Sequence, residues 1–131
     1  MDKYIKISKT PKATLYLYEK NLVKVVTHAH QVLETEDMQF IQEARRKLIG
    51  KDTPYVILSI QEDGASITKD AREFASQKAE VNNRLALAIV AKSLAHRIIG
   101  NFFIQSLRPH TPARLFPTEA EALKWLHTFL K

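Results

Sequence analysis

Apolar and polar residues alternate with period two over the first 27 positions. Ile5 and Ile7 fall on one face, Leu15 and Leu17 oppose Tyr16 and Tyr18, and Val23 and Val25 oppose Lys24. Glu19-Lys20-Asn21 separates the last two runs, and asparagine tolerates the left-handed backbone of a tight hairpin. Such alternation marks strands with one buried face, so residues 3–27 predict an antiparallel meander. The period then lengthens. Phe40, Ile41, Ala44, Leu48 and Ile49 recur at helical spacing, after Thr35, Glu36 and Asp37 and before Gly50. Acids suit the positive end of the helix dipole and a glycine suits its far end, which together predict a helix over about 36–49.

Tyr55 to Ile60 and Leu85 to Ala91 are continuous apolar runs, too short for helices. They read as central parallel strands covered on both faces, with Leu87 and Ile89 fully enclosed. Between them Ile67, Ala71, Phe74 and Ala75 mark a short helix that starts near Ser66 or Thr68. Ser93 caps a predicted helix carrying Leu94, Ile98, Ile99, Phe102, Phe103, Ile104 and Leu107, which Arg108-Pro109 ends. Ala113 to Phe116 reads as a strand. Thr118-Glu119-Ala120-Glu121 is a capping box opening a last helix, with Ala122, Leu123, Leu126, Phe129 and Leu130 inward. The order implies an α/β fold: one mixed sheet with an N-terminal antiparallel meander, parallel central strands and four helices. No repeat or linker interrupts the 131 residues, so a single domain over 1–131 accounts for them.

Composition narrows the function. Hydrophobic residues make up 45% and charged residues 26%, an ordinary globular balance. Cysteine is absent, which excludes disulfides, thiolate metal sites and a cysteine nucleophile. No apolar run reaches the ~18–20 residues of a membrane helix, and the opening MDKYIKIS lacks a signal peptide's apolar stretch, so a cytoplasmic domain is expected. The net charge of +6 favours anionic partners in general. From Val81 to Thr118 there is no acidic residue, while Arg84, Lys92, Arg97, Arg108 and Arg114 fall inside, and Lys3, Lys6, Lys9 and Lys12 form a second basic group. A solvated positive surface is the simplest account. Tyr16, Tyr18 and Lys24 do not compose a ribonucleoprotein motif, so nucleic acid is not the expected partner.

Candidate chemistry is sparse. His28-Ala29-His30 is a potential metal pair, but a zinc site needs further ligands at diagnostic spacing and a polar loop end explains it better. Glu62-Asp63-Gly64 follows a central strand at its carboxyl end, where α/β sheets place ligands. Gly64 is the loop's only glycine and no phosphate-cradling motif occurs, so no cofactor and no enzyme are expected. Ile98, Ile99, Phe102, Phe103 and Ile104 spread beyond the roughly 100° stripe that one sheet face covers. Ile99, Phe102 and Phe103 are therefore candidate interface residues for a second copy or another protein. Trp125 reads first as a core anchor.

DAREFA (Asp70 to Ala75), RIIGNFFIQ (Arg97 to Gln105) and PARLFPTEAEALKWL (Pro112 to Leu126) resemble a family of small bacterial proteins with a SpoIIAA-like fold. STAS domains and the lipid-binding CRAL-TRIO domain share that fold. In anti-sigma factor antagonists of the STAS type, a serine at the start of the helix after a central strand is phosphorylated and controls partner binding. The corresponding stretch here, Ser59 to Thr68, lacks the tandem Asp-Ser-Ser-type signature. The resemblance leaves Ser66 and Thr68, with Asp63 nearby, as candidate regulatory residues. It implies first a non-enzymatic regulatory or protein-interaction domain. The second expectation is a binder of a small apolar or lipid-like ligand between sheet and helices, although lipid-transfer domains are longer than this chain.

Overall fold

The alternating first segment folds into β1 (Lys6–Lys9), β2 (Ala13–Tyr18) and β3 (Leu22–Thr27), paired antiparallel in sequence order. The turn between β2 and β3 has left-handed backbone at both Lys20 and Asn21. This computed structural model describes residues 3–77, 83–107 and 111–130, without the side chains of residues 99, 103, 106 and 107. The predicted helix end at Arg108-Pro109 lies outside the described residues. So do the side chains of Ile99 and Phe103.

The helical period gives α1 (Thr35–Ile49), capped by Glu34 one residue ahead of the expected start. Asp37 secures that cap: its Oδ2 accepts the Glu34 N–H at 2.8 Å. The remaining elements are β5 (Tyr55–Gln61), α2 (Lys69–Ser76), β7 (Arg84–Val90), α3 (Leu94–Leu107), β8 (Ala113–Phe116) and α4 (Glu119–His127). Two short strands escape the sequence pattern because two residues carry no period: β4 (Val32–Leu33) and β6 (Ser66–Ile67), which pair parallel. The main sheet has six strands in the order β1-β2-β3-β5-β7-β8, parallel from β3 onward. The expected mixed sheet with four helices is thus present among the described residues.

Alternation divides the core between the two faces. Leu15, Leu17, Val23 and Val25 meet Ile41, Ala44 and Leu48 of α1 on one face. Leu22, Val56, Leu58, Ala86, Ala88 and Phe116 meet Ala122 and Leu126 of α4 on the other. The expectation that Leu87 and Ile89 are fully enclosed fails. Ala86 and Ala88 are the buried apolar residues of β7, Leu87 and Ile89 are half-buried, and Leu85 is exposed. The apolar run marks a central strand correctly, but only its alanine side meets a helix squarely. No helix among the described residues is long and apolar enough to cross a membrane.

Candidate functional site

On the face opposite α4, α1 packs over β1 and β2 while α3 packs over β8. The strip of β5 and β7 between them is bordered by helices rather than covered by one. A cavity of about 190 Å³ results. Ile57, Leu87 and Ile89 form its floor, and Ile41 of α1, Ile67 of β6 and Ile104 of α3 contribute to its walls. This explains the half-burial of Leu87 and Ile89: their side chains face space.

One cluster of polar groups lies where β5 and β7 begin, formed by Tyr55, Gln42, Arg45 and Arg84, while Ser59, Gln61 and Arg72 also line the cavity. A β-bulge brings Arg84 there. Tyr55 pairs with Arg84 but Val56 pairs with Ala86, so one extra residue enters β7 at Leu85. Without it, alternation would put Arg84 beside Ala86 and Ala88 on the α4 face; with it, Arg84 joins Leu87 and Ile89 in the cavity. Bulges commonly re-aim side chains in this way.

Arg84 is only 8% exposed, and its Nε donates to Thr111 Oγ1 at 3.2 Å. Burial pushes its guanidinium down to about 10, and the like charge of Arg45 adds to this while Tyr55 opposes it. The group therefore remains cationic at neutral pH. Among the described residues it forms no ion pair with a carboxylate. Arg45, 4% exposed, lies with its guanidinium carbon 4.3 Å from the centre of the Tyr55 ring and donates through Nη2 to Gln42 Oε1 at 3.1 Å. At the other end Arg72 Nη1 donates to the Ile67 carbonyl at 2.9 Å.

The residues singled out in the sequence lie elsewhere. Thr68 is the N-cap of α2, its Oγ1 accepting the Ala71 N–H at 3.1 Å. Ser66 is exposed on β6, and its N–H donates to the Gln31 carbonyl at 3.0 Å. Only Thr68 therefore stands at a helix N-terminus. The Asp63 carbonyl accepts from the His30 N–H at 2.9 Å, and Glu62 Oε1 accepts from the Ala29 N–H at 3.0 Å. Asp63 and Ser66 border a wider depression of about 1060 Å³ at the carboxyl ends of the parallel strands, together with Lys92 and His96.

His28 and His30 are separately engaged: His28 Nε2 lies 2.7 Å from Thr14 Oγ1, while the His30 ring abuts Gly64. Gly64 has φ +74, and a β-carbon there would collide with that ring. Among the described residues no group of three or more histidines, aspartates or glutamates stands together as a metal site. Trp125 is half-buried between Phe116 and Phe129, with ring centres 5.4 Å and 4.9 Å away, and so anchors the last helix. Of the candidate interface residues, Phe102 is 68% exposed and aligns with Leu94 (64%) and Ile98 (62%) along α3.

Sequence reasoning missed Arg45, Tyr55 and Arg84. A signal existed for Arg45, which shares the apolar face of α1 with Ile41, Ala44 and Leu48. Arg84 opens an otherwise wholly apolar strand, but its direction depends on the bulge, which no periodicity announces.

This layering is that of a SpoIIAA-like α/β fold. The chain superposes over 92% of its length, at a TM-score of 0.54 and 16% identity, on 90% of an uncharacterized DUF3478-family protein with a SpoIIAA-like fold from Shewanella loihica PV-4. Residues 16–130 match the family described as Domain of unknown function (DUF7793), and the chain belongs to that family. No curated protein matches it.

Proposed function

We propose that this domain is a non-catalytic receptor for a small, mainly apolar ligand held between the sheet and helices α1, α2 and α3. The single observation carrying this reading is the isoleucine- and leucine-lined cavity of about 190 Å³. An apolar cavity of ~150 Å³ stays dry and takes up benzene, so this volume suits a compact arene or short branched chain rather than a long acyl chain. Titrating isotope-labelled protein with indole tests it. The expected result is saturable shifts of the Ile57, Leu87, Ile89 and Ile104 methyl resonances, abolished in Ile89→Trp. Methyl resonances that do not move would overturn the reading.

A second reading, a protein-interaction domain, is favoured by the exposed row of Leu94, Ile98 and Phe102 on α3. Self-association through that row is its simplest form. Sedimentation should then show a concentration-dependent dimer that Ile98→Asp abolishes, and a strict monomer at high concentration would remove this reading. Regulation by phosphate at Thr68 fits less well, because modification there would remove the hydroxyl that caps α2.

A further inference from the structure

We infer that the ligand of this cavity is a small organic carboxylic acid, its apolar body over β5 and β7 and its carboxylate on Arg84. The inference rests on the receptor reading above and adds the ligand's chemical class.

A buried cation is expensive unless it is paired, because water no longer solvates it. Arg84 is more than nine-tenths buried, and its one hydrogen bond among the described residues is donated by Nε to a neutral hydroxyl. Nη1 and Nη2 are left with no acceptor among the described residues. These two nitrogens form the end of the guanidinium fork, whose spacing matches the two oxygens of a carboxylate. Arg45 adds a second cation whose like charge acts on Arg84, which makes an anion between the helix and the strand more favourable still.

The placement of Arg84 is itself specific. Only the extra residue in β7 turns it into the cavity, so an inserted residue and a buried charge coincide at one end of a mainly apolar chamber. Opposite this end the floor is Ile57, Leu87 and Ile89, which offers a compact apolar body contact but no hydrogen bonds from side chains. A headgroup of one negative charge and two oxygens, on a body about the size of an aromatic ring, satisfies both ends.

The test compares 3-phenylpropionate with its neutral amide, 3-phenylpropionamide, by calorimetry on the native chain and on Arg84→Met. The acid should bind the native chain at least tenfold more tightly than the amide. Arg84→Met should abolish that margin while leaving amide affinity within threefold, and should not lower the melting temperature of the free protein. Equal affinities on the native chain, or a margin surviving in Arg84→Met, would overturn the carboxylate assignment and leave the receptor reading standing. Failure of acid, amide and indole alike to bind would overturn both. Should Arg84→Met not fold, Arg84 would be a structural residue, the assignment would fall, and binding of the amide and of indole to the native chain would still judge the receptor reading.

Discussion

Asp37 fastens two segments with one oxygen. Its Oδ2 accepts the Glu34 N–H and also the Lys12 ammonium, each at 2.8 Å, and Lys12 further donates to the Val32 carbonyl at 2.8 Å. Burial alone would push this carboxyl up, but the Glu34 amide and then Lys12 outweigh it and hold it below the ordinary carboxylate range. A depressed carboxyl contributes stability that is complete above its unfolded value of about 3.9 and disappears as pH falls through the folded value. Asp37→Ala should therefore cost about 1–2 kcal/mol at pH 7. Urea titrations should show native and variant converging as pH falls toward about 2. Thr68→Ala should cost about 0.5–2 kcal/mol through the lost cap, whereas Ser66→Ala should stay within about 0.5 kcal/mol, measured by the same titration. The start of α2 was legible to Ser66 or Thr68, because a hydroxyl ahead of helical spacing has a local meaning, and the structure chooses Thr68. Arg84 was not, because its direction follows from pairing with Tyr55, a partner 29 positions away in sequence.

Strand β7 joins two unlike environments. Ala86 and Ala88 share a buried cluster with Ala122 of α4, which packs on β7, and all three are fully buried. Ala88→Leu should cost about 1–3 kcal/mol by overfilling that contact. Ile89→Ala should cost about 1–2 kcal/mol, less than the ~2–5 kcal/mol of a fully enclosed isoleucine, since Ile89 already borders space. Thermal unfolding of the two variants checks the pair, and an Ile89→Ala loss well above that of Ala88→Leu would contradict the assignment of faces. At this scale the sequence was informative about which elements form, since apolar period and caps are local. It was silent on which face of β7 meets a helix, because LALAIV is apolar on both sides and only the helices' positions distinguish them. The β4–β6 pair was equally invisible, being two residues on each side.

Over the whole molecule, the helices are unequally tethered. The starts of α1 and α2 are linked through β4 and β6, with the Ser66 and Thr68 N–H groups donating to the Gln31 and Leu33 carbonyls at 3.0 Å each. α3 instead rests mainly on β8, where Gly100 lies against Leu115, and its outer row is exposed. Backbone amides of α3 should consequently exchange with deuterium before those of α1 and β5, as the less tethered unit opens first. Mass-spectrometric exchange tests this, and equal protection of α3 and β5 would refute it. The same sheet order leaves β1 and β8 as its two borders, each four residues long. Lys6 and Lys9 stand on the first and Arg114 on the second. Short, positively charged borders discourage one sheet from extending into the next, so the fold carries its own guard against fibrillar stacking at high concentration.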